Sequence, residues 1–173
     1  MDQHDLLKLS SSNGQIFQVE PAVACMSKLI SNMHEDNATN DTIPLPRIKP
    51  HTLKKVIDYC SHHKDNPGRP VEEPIKPKEM TEVATEWDAE FIDVKLDTIF
   101  ELLLAANFLD IQGLLDLCCL KMASLTKGKT PQQVRELFKL SDADFTPEED
   151  AALRAEATWK EEDDCEMEDI IPN

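Results

Sequence analysis

Glu101 to Ala123, ELLLAANFLDIQGLLDLCCLKMA, holds four charged residues in 23, within a chain whose formal net charge is −16. A stretch this apolar must be covered by something, and its periodicity limits what. On a helix from Asp97 to Asp110, Ile99, Leu103 and Ala106 make one stripe, while Phe100, Leu104 and Phe108 make a second, displaced around the axis. A surface helix needs one such stripe. Beyond a tight break at Ile111-Gln112-Gly113, a helix from Leu114 to Lys127 repeats the excess. Leu114, Leu115, Cys118, Met122 and Leu125 form one face, and Leu117 and Leu120 add a second apolar edge. Val134, Leu137 and Phe138 follow on a third helix. Two arrangements satisfy the pattern: helices buried on all sides, or one stripe packed into the domain and the other meeting a second protein. A chain of 173 residues has few layers in which to enclose helices completely. Leaving several such side chains in water would forgo roughly 1.5–3 kcal/mol each. A surface of that kind predicts helix-in-groove docking.

The charge is uneven. From Ser141 to Asn173 thirteen acids face only Arg154 and Lys160, so this end carries −11 of the total. An acidic chain repels phosphate backbones, which argues against a nucleic-acid partner. The opening MDQHDLLKLSSSNG lacks the apolar core of a secretion signal. Uncharged runs such as Leu102 to Leu109 fall far short of the roughly 20 residues that cross a bilayer, so no membrane partner is expected. Five unpatterned cysteines (Cys25, Cys60, Cys118, Cys119 and Cys165) fit free thiols in a reducing compartment.

The rest of the chain alternates short elements. LLKL and QIFQV flank SSSNG as a hairpin, with Asn13-Gly14 as a two-residue turn signal and Phe17 and Val19 toward the core. Pro21 starts a helix bearing Val23, Met26, Leu29, Ile30 and Met33. IPLPRI is limited to a short edge strand by its prolines. A helix from Pro50 to His63 buries Leu53, Val56, Ile57 and Cys60 on one face. Residues 64–79, with Pro67, Pro70, Pro74 and Pro77, read as an exposed excursion. Trp87 and Phe91 mark a short returning helix. Thr130-Pro131-Gln132-Gln133 and Thr146-Pro147-Glu148-Glu149 each combine a threonine cap, a first-turn proline and Gln or Glu three residues on, which starts two further helices. Small sheet first, consecutive helices after, is an α+β order.

Catalytic constellations are missing. Four glycines form no phosphate loop. Cys60, His62 and His63 lack a second ligand pair for zinc. Cys118 and Cys119 have no neighbouring base in sequence. No enzyme activity, metal or cofactor is expected.

Taken together, LSSSNGQIFQVE, IPLPRIKPHTLKKVIDYCSHHKD, WDAEFI, AANFLDIQGLLDL, KGKTPQQVRELF, DFTPEED and a late Trp159 resemble, in one order, the Skp family, the small adaptor of SCF-type cullin–RING ubiquitin ligases. The resemblance implies a BTB/POZ-like α+β domain over residues 1–127, with the Pro-rich loop at 64–79. F-box-binding helices over 128–159 and an acidic tail over 160–173 would follow. It implies a cullin N-terminal region as partner at Asn107 and Phe108. F-box proteins would be held by Leu115, Met122, Val134, Phe138 and Trp159. It further implies a non-catalytic role in ubiquitin-dependent degradation, and a cytoplasmic and nuclear location. The family commonly has Tyr where this chain has Phe108, so any hydrogen bond of that hydroxyl is absent. LCCLKMASL and the long ending WKEEDDCEMEDIIPN also depart from the family pattern, and both bear on partner spectrum. Pro147 stands where some protist relatives carry a hydroxylated, glycosylated proline. The rival reading is a BTB-like module whose apolar helices form a homodimer.

Overall fold

The computed structural model describes residues 6–36, 42–68, 80–140, 146–149 and 151–152. The chain divides into two units, Met1–Leu125 and Thr126–Asn173.

In the first unit, β1 (Leu7–Ser10) pairs antiparallel with β2 (Ile16–Val19) and parallel with β3 (Ile43–Pro44), giving the order β2-β1-β3. Val19 is buried and Phe17 partly so, while Ile16 and Gln18 face outward, as the alternation requires. The hairpin turn departs from the expected two-residue form. Ser10 pairs with Ile16, so five residues make the loop. The Asn13 carboxamide oxygen accepts from Ser11 Oγ at 2.9 Å and from the Gln15 N–H at 3.1 Å. Gly14, at φ +85°, donates its N–H to the Ser11 carbonyl. These side-chain bonds close a wider turn than the Asn-Gly pair alone would make.

The helix starting at Pro21 is split into α1 (Pro21–Ala24) and α2 (Lys28–Asp36). Ser27 breaks it: its buried hydroxyl accepts from the Ile30 N–H and donates to the Leu109 carbonyl at 2.5 Å. Next comes α3 (Pro50–His63), begun by its proline, with Leu53, Val56, Tyr59 and Cys60 buried and Ile57 half-buried. Only 64–68 of the proline-rich excursion fall within the described residues. After it come α4 (Met80–Val83) and α5 (Glu86–Phe91). Thr85 caps α5 by accepting from the Asp88 N–H.

The two apolar helices are α6 (Leu96–Leu109) and α7 (Gln112–Thr126). Asp97 does not cap α6; Lys95 occupies that position, and Asp97 lies in the first turn, where a carboxylate favours the positive helix end. The break between the helices also lies earlier than the glycine suggests. Asp110 takes the left-handed conformation at φ 50°, and the Ile111 N–H bonds back to the Ala106 carbonyl, closing α6. Gly113 is inside α7, where it serves packing. A Cβ there would stand 2.9 Å from the Tyr59 hydroxyl of α3, which is closer than non-bonded atoms tolerate. One core joins sheet and helices: Leu9, Leu45, Leu53, Ile92, Ile99, Leu102, Leu109 and Leu114 are almost wholly enclosed.

In the second unit, α8 (Pro131–Phe138) opens on the expected capping box between Thr130 and Gln133. Lys139, left-handed at φ 55°, ends it. Thr146 and Glu149 make the same reciprocal bonds ahead of helical residues 147–149 and 151–152. Pro147 is exposed at that start. Trp159 and the acidic tail, residues 160–173, lie outside the described residues.

Candidate functional site

The two-stripe pattern on α6 resolves into one buried and one outward face. Ile99, Leu102, Ala105, Ala106 and Leu109 are buried, and Leu103 is half-buried. On the opposite side Leu104 is 66% exposed and Phe100 37% exposed, the two most exposed large apolar side chains of the helix. Phe108, one turn beyond Leu104, is half-buried, and Asn107 beside it is exposed. Residues 100, 104, 107 and 108 fall at i, i+4, i+7 and i+8, the spacing of a single helical face. The expected pair Asn107 and Phe108 therefore belongs to a larger surface. Phe100 and Leu104 were legible as a stripe, although the sequence did not say which of the two stripes would face out.

Polar groups from α3 and the turn before it edge this face. Leu45, Pro46, Arg47 and Ile48 form a turn closed by the Ile48 N–H to the Leu45 carbonyl at 3.1 Å. Burial of Leu45 and Ile48 pins the turn and leaves Arg47 outward. The Arg47 guanidinium carbon is 6.0 Å from the Phe108 ring centroid. Glu101 accepts from Lys49 Nζ at 2.7 Å and Thr52 Oγ1 at 2.8 Å, and also bonds His51 Nε2. The Lys49 bond above all, partly offset by burial and reinforced by Thr52 and His51, lowers the Glu101 carboxyl to about 2. This cluster holds the start of α3 against α6.

The α7 residues divide differently from expectation. Leu117 and Leu120, read as a second edge, are buried with Leu114 and Cys118, while Leu115, Met122 and Leu125 are half-buried. Leu115 and Met122 lie seven residues apart on α7 and so share a face. In the second unit, Val134 and Phe138 sit one turn apart on α8, both half-buried.

Among the described residues, the candidate nucleophiles and ligands are buried or engaged in packing contacts. Burial pushes the Cys60 and Cys118 thiols up to about 12, so both are protonated and poor nucleophiles at neutral pH. His63 is buried and engaged at both nitrogens: Nδ1 donates to the Asn66 carbonyl and Nε2 is hydrogen-bonded to Asp88 Oδ1, each at 2.7 Å. Asp88 in turn accepts from Thr85 Oγ1 at 2.7 Å. His62 stacks on Trp87 with ring centroids 3.8 Å apart. The histidine pair thus ties α3 to α5. Among the described residues, no three His, Cys, Asp or Glu side chains group as metal ligands, and no helix is long and apolar enough to cross a membrane.

Comparison with known proteins bears on the fold. Residues 5–65 match the tetramerisation domain of the Skp1 family, a POZ domain, and residues 112–160 match its dimerisation domain. The three-stranded sheet with its helices is accordingly an α+β, BTB/POZ-like fold. The S-phase kinase-associated protein 1 homolog of Tetrahymena thermophila is 45% identical over 157 residues, covering 90% of this chain and 94% of the relative. The SCF ubiquitin ligase complex protein SKP1a of Dictyostelium discoideum is 42% identical over 158 residues, covering 91% and 96% respectively. SKP1-like protein 11 of Arabidopsis thaliana is 44% identical over 154 residues, covering 89% and 95%.

Proposed function

The chain belongs to the Skp1 family, and from that membership we propose that it is a non-catalytic adaptor of an SCF ubiquitin ligase. It joins F-box substrate receptors to a cullin scaffold for ubiquitin-dependent degradation. Its contribution is positional. A substrate held by the F-box protein is kept near the ubiquitin-charged conjugating enzyme, so that transfer proceeds at a high effective concentration. Adaptors of this kind need two separate docking surfaces and no reacting group. The observation that carries the reading is the outward apolar face of α6, Phe100 and Leu104 with Asn107 and Phe108. The cullin N-terminal region is its occupant in this reading. Leu115 and Met122 on α7, Val134 and Phe138 on α8, and Trp159 serve the F-box. The setting is cytoplasmic and nuclear.

Two double variants test the division. Met122→Ala with Phe138→Ala should lower F-box retention about tenfold or more while cullin binding persists. Asn107→Ala with Phe108→Ala should do the reverse. Equal loss of both partners in either variant, measured by affinity capture with each partner alone, would indicate misfolding and contradict the assignment.

A further inference from the structure

We infer that Arg47 is a cationic determinant of the α6 face, and that the helix docking there carries a carboxylate that pairs with its guanidinium beside the Phe108 ring. This rests on the reading of that face as the cullin-binding surface. Phe108 offers a ring and no hydrogen-bonding group, and exposed Asn107 beside it is a neutral amide, so any charge recognition at that end of the face falls to Arg47. Arg47 is exposed above it, 6.0 Å from the ring centroid, on a turn fixed by buried Leu45 and Ile48. Basic groups bordering α6 are already engaged: Lys49 and His51 with Glu101, and Lys28 with Asp110 at 3.6 Å. Among the described residues Arg47 has no carboxylate within ion-pair reach.

A partner that covers Leu104 and Phe108 strips water from this guanidinium. A desolvated, unpaired charge is costly, so the partner must supply an acceptor. Arginine's planar fork suits a carboxylate through two parallel bonds, and the ring beneath favours the cation further once water leaves.

The test uses the full-length protein and a cullin N-terminal region, titrated from about 50 mM to about 500 mM salt. Arg47→Glu should weaken binding about tenfold or more at low salt. Arg47→Ala should weaken it less and flatten the salt dependence. Leu104→Ala should weaken binding while leaving the salt dependence as in the parent. F-box binding should be unchanged in all three, which reports that they fold. If Leu104→Ala weakens binding but both Arg47 variants keep the parent affinity and salt dependence, the inference is overturned and the surface assignment stands. If Arg47→Glu weakens binding but Arg47→Ala keeps the parent salt dependence, the guanidinium meets a neutral acceptor and the carboxylate is refuted. If none of the three changes cullin affinity, the surface assignment fails and the inference with it.

Discussion

Asp88→Ala is expected to lower the unfolding free energy by about 3–5 kcal/mol. The Asp88 carboxylate is buried between the His63 ring and the Thr85 hydroxyl, both at 2.7 Å. His63 Nδ1 donates to the Asn66 carbonyl, so among the described residues Nε2 has Asp88 as its only hydrogen-bond partner. Alanine leaves that nitrogen buried and unsatisfied, releases the Thr85 hydroxyl, and opens a small void. Domains of this size are stable by about 5–15 kcal/mol, so the loss is a large part of the total. Asp88→Asn separates lost hydrogen bonding from lost charge, because a carboxamide N–H can donate to a neutral Nε2; it should cost about 1 kcal/mol. Urea unfolding at neutral pH checks both. An alanine variant within about 0.5 kcal/mol of the parent would show that the pair adds nothing to the α3–α5 junction.

Leu104→Glu is expected to reduce cullin affinity about 100-fold or more while changing stability by no more than about 0.5 kcal/mol. The two effects separate because Leu104 is 66% exposed in the chain alone, so little packing is lost on substitution. In the proposed complex the docked partner would cover the same side chain. A glutamate there forfeits the apolar burial and brings a carboxylate out of water without a partner. Calorimetric titration with the cullin N-terminal region, alongside urea unfolding of the variant, reads both quantities. An unchanged affinity would remove Leu104 from the interface, and a large loss of stability would mean that the residue supports the fold.

Much of the fold was written in local chemistry. The α3 limits follow from Pro50 and the apolar positions at Leu53, Val56 and Cys60, and α8 follows from the Thr130 capping box. What escaped depended on contacts between distant residues. Gly113 reads as a breaker, yet it is needed because Tyr59 approaches it, while Asp110 ends α6 in a conformation that carries no strong sequence signature. Ser27 splits the first helical stretch by bonding the Leu109 carbonyl, a partner that only the fold supplies. The surface was half legible. Periodicity found both α6 stripes, but choosing the outward one required the positions of the sheet and α3. On α7 the edge formed by Leu117 and Leu120 turned inward instead. Arg47, in a proline-bounded turn, became visible only once that turn lay beside Phe108.

Sedimentation of the full-length chain mixed with an F-box protein and a cullin N-terminal region tests the adaptor role most directly. A single 1:1:1 species is expected, and it should fail to form when this chain is omitted. Mutually exclusive binding of the two partners, or a homodimer that neither partner displaces, would contradict that role.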